Sequence, residues 1–499
     1  MRNFISYLIS TFALLTLLSS CEREAKVIYA IGIDEPVVRC THSNQERTIT
    51  YKLHPNILST DVNPNISVDA SWVEIVDTST LGEFTIKVEE NPIAERSAII
   101  SISAKDCQTA KIELLQYGEP PAMATHTLMY CFMGTSLNKY FQTNIEDAQK
   151  AIKTGILGNS NRVIFFRQNS STKGYIGEIY YDGTEIHHMD IDLSTSLMTP
   201  DKLGEIMATM ADIAPAERYG IVLAGHGQAW ITRDIINNNY QDISALGLMP
   251  NPWIQAPGAE TTRAFGESNV QFNIEELAEA LKLSAVELDY ILFDACFMSN
   301  IETIYELRNL ANYIIASPCE IMGRGFPYER TLPYLFENEG KESNYKDAAE
   351  SYYKYYRDEV SGSVRCGSIT VYDCSKIGAL AEATKMAMVG AISREDRECR
   401  IDLMQTYEGQ TPHHFFDFGQ WINHIARDQE ALENFNKAFK DCVIATFTLD
   451  FFYSAYGKYG TYPINLDVYS GVTTSAPSGA YPNGWRTTNW YKEVIALEN

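Results

Sequence analysis

Two stretches of the chain, YGIVLAGHG at residues 219–227 and DYILFDAC at residues 289–296, decide the fold. Each is a short apolar run that ends in small or reactive side chains. Runs without polar alternation are typical of strands buried on both faces of a parallel sheet. Because such sheets carry their sites beyond the carboxyl ends of the strands, His226 and Cys296 are predicted to meet at one edge.

Apolar runs alternate with helical patterns from residue 126 onward. Strands are predicted at 127–133, 162–166, 219–224, 290–293 and 313–316. Helices are predicted at 144–155, 200–213, 274–283 and 300–310. This alternation predicts an α/β fold with a mostly parallel sheet and helices on both faces. The polar stretch Thr232–Ser268 interrupts it, and loops of that length are usually functional or disordered.

The region before this pattern is all β. Short alternating runs, such as FTIKV at 84–88 and IISIS at 99–103, predict a small all-β sandwich over residues 29–118. Within it, SWVEI at 71–75 and LQYG at 115–118, with the run between them, resemble a BACON domain. That resemblance implies a glycan partner. A spacer role is an equal alternative, because Trp72 is interpreted more simply as a core residue.

The N-terminus has the pattern of a secretory signal. Arg2 precedes an uncharged, mostly apolar run at 4–18, which is shorter than the ~20 apolar residues that span a bilayer. The run ends in LSSC at 18–21 and resembles a bacterial lipobox, which implies a lipid on Cys21. The alternative is an ordinary signal peptide that contains a cysteine. Lipidation predicts a membrane contact through the anchor, at the cell envelope, on the outer membrane or cell surface.

Together these patterns predict how the chain is divided into segments and domains. The predicted parts are a lipoprotein signal at 1–20, a tether at 21–28, the sandwich at 29–118, a linker at 119–125 and an α/β domain with a C-terminal extension at 126–499.

The net charge and the cysteine spacings argue against two classes of function, nucleic-acid binding and zinc binding. The 499-residue chain has a net charge of −24, which argues against a nucleic-acid partner. An acidic surface attracts basic peptides or simply maintains solubility. With 10 cysteines, lipidation of Cys21 leaves an odd number, so at least one thiol is unpaired. No cysteine spacing fits a zinc site, and no metal ligands are assigned.

Cys296 and His226 have the chemistry of a nucleophile and its base. A thiol attacks as thiolate, and a neighbouring imidazole takes its proton. Gly227 allows close approach of the backbone and offers an N–H to a developing oxyanion. A single cysteine or histidine is more often inert packing, but the pair at matching strand ends favours catalysis.

The surrounding residues resemble the clostripain family, which is related to gingipains and caspases. YGIVLAGHGQAW at 219–230 resembles its histidine motif and FDACFMSNIE at 293–302 its cysteine motif. ASPCEIMGRGFPY at 316–328 resembles the loop that follows. The similarity extends over about residues 125–495. It implies a caspase-like fold and a cysteine endopeptidase with a peptide or protein substrate.

The resemblance also implies roles for particular residues. Cys296 would be the nucleophile and His226 the general base, with the amides of Gly227 and Cys296 as oxyanion donors. Asp294 would form the floor of the specificity pocket and select Arg or Lys before the cut. Its alternative role is a helix N-cap for the residues after it. Glu320 is a second candidate for a wall of that pocket.

Some features depart from the family. Cys319 and Met322 occupy positions where the family more often has acidic or proline residues. No cofactor is predicted, although the association of clostripain with calcium leaves calcium open. A competing hypothesis is an inactive surface lipoprotein that binds glycan or protein on a peptidase scaffold.

Overall fold

The computed structural model describes residues 29–53, 64–194, 198–236, 254–265, 271–336, 345–390, 401–477 and 482–496. The chain folds into two compact units. Among the described residues, one unit comprises those up to Asn91 with Glu95–Gln116, and the other comprises Pro92–Ala94 with those from Tyr117 onward. Among the helices within the described ranges, none combines the length and apolar character needed to cross a membrane.

The smaller unit is built from β-strands. They are β1 Ile31–Ile33, β2 Val37–Cys40, β3 Gln45–Leu53, β4 Asn65–Val68, β5 Val73–Asp77, β6 Glu83–Val88, β7 Arg96–Ser103 and β8 Ala110–Gln116. One 4-stranded sheet has the order β1-β3-β6-β5 and the other β2-β8-β7-β4. Alternate residues of β6 and β7, such as Ile86 and Ile100, are buried in a common core. The predicted all-β fold of this region is confirmed.

The larger unit contains a nine-stranded sheet and short β-pairs. Its strands are β9 Ala124–Phe132, β10 Asn161–Gln168, β11 Lys173–Ile179, β12 Glu185–Asp192, β13 Ala216–Ala224, β14 Leu288–Asp294, β15 Ala311–Ala316, β16 Ser368–Asp373, β17 Phe416–Asp417, β18 Val443–Thr448, β19 Phe451–Ser454, β20 Gly460–Pro463 and β21 Thr473–Thr474. The 9-stranded sheet has the order β12-β11-β10-β9-β13-β14-β15-β16-β18. The pairs β17-β21 and β19-β20 form separate small sheets.

The centre of the large sheet is parallel and its margins are antiparallel. Strands β10, β9, β13, β14 and β15 pair in parallel, whereas β11, β12, β16 and β18 pair antiparallel to their neighbours. The central strands are almost continuously buried and apolar, as expected for a sheet covered on both faces. This confirms the mostly parallel α/β fold, although the antiparallel margins were not predicted.

Helices connect and cover these strands. They span Asn138–Lys153, Pro200–Ile213, Ile274–Leu283, Ile301–Leu307, Tyr328–Leu335, Tyr345–Asp358, Ile377–Met388, Phe418–Ile425, Gln429–Cys442 and Pro482–Trp485. The helix at 200–213 has its predicted bounds, because Thr199 accepts a hydrogen bond from Lys202 N at 3.2 Å and caps it. The helix at 274–283 also matches, with a capping box between Asn273 and Glu276. The helix predicted at 144–155 begins earlier, directly after the short 3-10 turn Thr135–Leu137.

Candidate active site

The reactive side chains singled out in the sequence lie at neighbouring strand ends. β13 and β14 are adjacent and parallel, and their last residues, Ala224 and Asp294, are register partners. His226 and Cys296 follow just past these ends, at the same edge of the sheet. The local sequence therefore brings the predicted base and nucleophile to one place.

A short piece of the long polar loop, residues 261–265, lies across this edge and is called the inserted segment below. Arg263 N donates a hydrogen bond to Ile321 O at 2.9 Å, and Gly323 N donates one to Thr261 O at 2.7 Å. The segment is thus held by main-chain hydrogen bonds in an extended form. Peptides that add a strand to an exposed edge are bound in the same way.

The carbonyl oxygen of Arg263 accepts hydrogen bonds from both amides that were predicted as oxyanion donors. Gly227 N donates to Arg263 O at 2.9 Å and Cys296 N donates to it at 3.1 Å. Past the carbonyl, Phe265 N donates to Gly227 O at 3.1 Å. A Cβ at position 227 would lie 2.1 Å from Cys296 O, so only glycine permits this approach.

The side chain of Arg263 enters a closed pocket, called the arginine pocket and formed by Asp294, Asn144, Gly323 and Gly325. Its Nη1 lies 2.8 Å from Asp294 Oδ2, and both side chains are 0% exposed. Its Nη2 donates to Asn144 Oδ1 at 2.8 Å, and its Nε donates to Gly323 O at 3.2 Å. The planar guanidinium is therefore paired and oriented on several sides.

Asp294 is positioned by the strand end and by the loop that follows β15. Its Oδ2 accepts a hydrogen bond from Tyr328 Oη at 2.8 Å and a longer one from Phe326 N at 3.4 Å. Burial raises the pKa of this carboxyl, and the positive charge of Arg263 is the main effect opposing that rise. The carboxylate is thus stabilised by the cation that occupies its pocket.

Gly325 closes the arginine pocket. Its φ is +68°, and a Cβ there would lie 2.4 Å from Nη2 of Arg263 and 2.6 Å from Asp294 Oδ1. Its carbonyl accepts a hydrogen bond from Tyr356 Oη at 2.9 Å. Both the backbone conformation and the space therefore require glycine.

The side chain of Thr262 enters a second site, called the threonine pocket and formed by Glu320 and Ser454. Thr262 Oγ1 donates to Glu320 Oε2 at 2.6 Å. Ser454 Oγ donates to Glu320 Oε1 at 2.5 Å, and Ala455 N donates to the same carboxylate at 3.1 Å. Burial raises the pKa of Glu320 to about 7, against the effect of these hydrogen bonds.

Two sequence interpretations need correction. Glu320 was assigned to a wall of the Asp294 pocket, but its hydrogen bonds place it beside Thr262 instead. The N-cap alternative for Asp294 is wrong, because the next helix begins at Ile301 and Asn300 caps it. Asp294 is the last residue of β14, and its carboxylate lies in the arginine pocket.

The thiol of Cys296 is fully buried beneath the inserted segment. Its Sγ accepts a hydrogen bond from Ile321 N at 3.0 Å, and the thiol lies 3.5 Å from Ile321 O. Burial raises the pKa of this thiol well above its ordinary value, and the nearby Glu320 carboxyl adds to the effect. Burial therefore opposes ionisation of this thiol.

The imidazole of His226 is half-buried and contacts the turn after β9. Its Nε2 lies 2.9 Å from Ser136 Oγ. Ser136 was not singled out in the sequence, although the turn that contains it follows a predicted strand. It supplies a contact that orients the ring.

The departures from the family pattern leave the charge of the arginine pocket intact. Met322 pairs with Thr262 as an antiparallel bridge partner, and the amide of Cys319 donates to Ser317 Oγ at 3.1 Å. The guanidinium contacts come from Asp294 and other groups, so neither departure removes the pocket's anion.

The predicted lipidation site and the predicted absence of metal ligands are separate from this geometry. Cys21 and the signal and tether segments, 1–20 and 21–28, lie outside the described residues. Within the part of the chain that is described, no group of three or more His, Cys, Asp or Glu side chains is placed to hold a metal ion.

Comparison with known proteins agrees with this site. The sequence model of the clostripain family matches residues 252–487, a range that includes the inserted segment and Cys296. None of the curated proteins matches the chain.

Solved structures of C11 proteases share the fold. A secreted C11 cysteine protease from Bacteroides thetaiotaomicron, "iotapain", is 26% identical and has a TM-score of 0.62, over 74% of this chain and 99% of that chain. An inactive zymogen C11 protease from Parabacteroides distasonis is 26% identical, with a TM-score of 0.61, over 75% of this chain and 99% of that one. The Bacteroides thetaiotaomicron protease in complex with an irreversible peptide inhibitor is 24% identical over 74% and 98%, with a TM-score of 0.58, and supports the fold alone.

The fold and the site together define a cysteine peptidase with a caspase-like α/β domain. The chain resembles the clostripain family in sequence over residues 252–487, and it shares the fold of solved C11 proteases.

Proposed function

We propose that the protein is a cysteine endopeptidase of the cell envelope that cleaves peptide bonds after Arg, and less well after Lys, and that the uncut chain is its precursor. One observation carries the proposal. The carbonyl of Arg263 lies on the amides of Gly227 and Cys296 while its guanidinium pairs with Asp294. The chain thus holds its own arginine as a substrate would be held.

The reaction follows from these positions. The sulfur of Cys296 attacks the carbonyl carbon of Arg263 and His226 takes the thiol proton. The negative charge develops on the carbonyl oxygen, where hydrogen bonds from the amides of Gly227 and Cys296 stabilise it. The C–N bond to Ala264 breaks as His226 returns the proton to the departing amine. Water then hydrolyses the thioester and leaves a carboxylate at Arg263. A free peptide would follow the same steps.

The contacts of His226 indicate which ring nitrogen works as the base. We propose that Nε2 donates a hydrogen bond to Ser136 Oγ, which leaves Nδ1 unprotonated to take the proton from Cys296. The buried thiol resists ionisation in the uncut chain, and its reactivity should rise once the inserted segment has left. A Parabacteroides distasonis relative is described as an inactive zymogen, which agrees with a precursor of low activity.

The preference for arginine over lysine follows from the arginine pocket. Arg263 pairs with Asp294 and also donates to Asn144 and Gly323. An ammonium group keeps the charge but lacks the planar set of donors that reaches these partners together.

Peptides that differ only in the residue before the cut test this function. We expect the wild-type protein to cleave after Arg best, after Lys less well, and after citrulline, which has the shape of Arg without its charge, only weakly. Cys296→Ala should abolish cleavage and keep the fold, because only the nucleophile is lost. Equal rates for Arg and citrulline, or clear activity in the Ala variant, would refute the proposal.

The location at the envelope rests on the lipobox-like N-terminus. A lipid on Cys21 would supply the membrane affinity, so Cys21→Ser should move the protein from the membrane fraction to the soluble fraction. A variant that stays with the membrane would contradict the anchor.

The all-β unit is proposed as a spacer. Trp72 packs against its core, and the guanidinium carbon of Arg96 lies 4.2 Å from the ring centroid. That contact covers a ring that a sugar would need to stack on. The inactive-scaffold hypothesis is not favoured by the comparisons, and a glycan partner stays a prediction.

A further inference from the structure

The threonine pocket is a second polar site, separate from the arginine pocket that binds the guanidinium. Glu320 is 3% exposed and Thr262 is 2% exposed, so their hydrogen bond is shielded from water. A buried carboxylate needs donors on its lone pairs, and here a side chain of the bound segment supplies one of them.

The donors around Glu320 define what the pocket can accept. Oε1 is occupied by Ser454 Oγ, while Oε2 accepts from Thr262, and Ala455 N bonds to both oxygens at 3.1 Å. A bound peptide therefore binds most favourably when it presents to Oε2 a short side chain with an O–H donor. An aliphatic side chain of the same shape would bury Oε2 without that donor. An acidic side chain would place a second carboxylate against that of Glu320.

Backbone pairing fixes the direction of this side chain. Thr262 and Met322 are antiparallel bridge partners, and the neighbouring Arg263 N is bonded to Ile321 O. Any peptide with its arginine in the arginine pocket and the same main-chain hydrogen bonds therefore presents its preceding residue to Glu320.

We propose that Glu320, supported by Ser454, is a specificity-determining residue that selects threonine or serine immediately before the arginine. The inference rests on the proposed function, because it assumes that peptides bind as the inserted segment does. It adds a sequence requirement: a hydroxyl residue, then arginine, then the cut.

The test uses the wild-type enzyme and peptides with a fixed arginine and a preceding Thr, Ser, Val or Lys. Thr and Val have nearly the same shape, so their ratio isolates the hydroxyl. A hydrogen bond to a charged group predicts a kcat/KM for Thr about tenfold or more above that for Val. Ser should lie near Thr.

Glu320→Gln should bring the Thr-to-Val ratio close to one while the preference for Arg over citrulline is retained. Glu302→Gln is the matched control. Glu302 is also buried and accepts a hydrogen bond from a threonine, Thr474, at 2.8 Å, but that threonine is outside the inserted segment. This control should keep the wild-type ratio.

The outcomes separate the two proposals. Cleavage after Arg without a Thr preference, a preference for Lys over Thr, or an equal loss for Thr and Val in Glu320→Gln would overturn this inference alone. Absence of cleavage after Arg would overturn the proposed function.

A second measurement does not depend on the stability of Glu320→Gln. In the full chain, Thr262→Val should slow self-cleavage after Arg263, whereas Thr262→Ser should cleave at nearly the wild-type rate. Equal rates for Val and Ser would refute the selection of a hydroxyl.

Discussion

The arginine pocket and the threonine pocket each bury a carboxylate against the same short segment, but only one carboxylate meets a cation. Asp294 lies 2.8 Å from the guanidinium of Arg263. Glu320 accepts hydrogen bonds from the neutral hydroxyls of Thr262 and Ser454. A guanidinium keeps its charge at any ordinary pH, so the anion at Asp294 has a permanent partner and the one at Glu320 does not.

This difference predicts that the two substrate residues contribute unequally to cleavage. Loss of the cation leaves a fully buried charge at Asp294 unpaired, which is strongly unfavourable. Loss of a hydroxyl at Glu320 removes one hydrogen bond among several, and a carboxyl with a pKa of about 7 can also take up a proton. Arginine should therefore be the main determinant of cleavage and the preceding residue a secondary one.

The largest expected effect is at Asp294. Asp294→Asn should lower kcat/KM for Arg and Lys substrates by roughly two to three orders of magnitude, because the substrate cation loses its partner. Neutral substrates should lose far less. Asp417→Asn is a matched control: Asp417 is equally buried and accepts a hydrogen bond from Tyr407 Oη at 2.6 Å, outside the arginine pocket. Equal loss for all substrates would mean that Asp294 holds the loop and not the substrate.

A smaller effect is expected from filling the arginine pocket. Gly325→Ala places a methyl group against the guanidinium and Asp294, and overpacking of this kind predicts a fall of roughly ten- to hundredfold in cleavage after Arg. Gly362→Ala controls for backbone strain, since Gly362 has a similar φ of +74° and nothing within 4 Å of its added Cβ. Similar losses in both variants would attribute the effect to strain.

A further expected effect concerns stability and its dependence on pH. Folding raises the pKa of Glu320 from 4.5 to about 7, so folding favours the protonated form. The stability from this group is present below pH 4.5 and is lost as the pH rises through about 7. Gln carries no charge at either end of this range. In a Cys296→Ala background, the free energy of unfolding of Glu320→Gln relative to its parent should therefore increase from pH 5 to pH 8.

Urea unfolding at both pH values measures this change, which is on the order of 1–3 kcal/mol. The same comparison for Glu302→Gln shows how much any buried glutamate contributes. A difference between Glu320→Gln and its parent that does not vary with pH would contradict the raised pKa.

The sequence predicted the parts of the site that depend on local patterns. Asp294 ends an apolar strand, and His226 and Cys296 follow such strands; the ends of neighbouring parallel strands meet at one edge of the sheet. The central strands and the helices with strong caps were predicted for the same reason.

The remaining parts depend on long-range contacts. Arg263 lies in a polar loop without periodicity, Asn144 in a helix distant in sequence, and Ser454 near the C-terminal end of the fold. Only the length of the loop that contains Arg263 indicated a function. The antiparallel strands β16 and β18 were missed because their pairing also joins distant segments.

The most direct test of the central claim, that the inserted segment is bound as a substrate, is intact-mass analysis and N-terminal sequencing of the purified wild-type protein and Cys296→Ala. The account predicts that the wild-type chain is cut after Arg263, with a new N-terminus at Ala264, and that Cys296→Ala stays whole. Arg263→Lys should still be cut and Arg263→Glu should not. A wild-type chain that stays intact under conditions where it cleaves peptides, or a cut at this bond in Cys296→Ala, would contradict the claim.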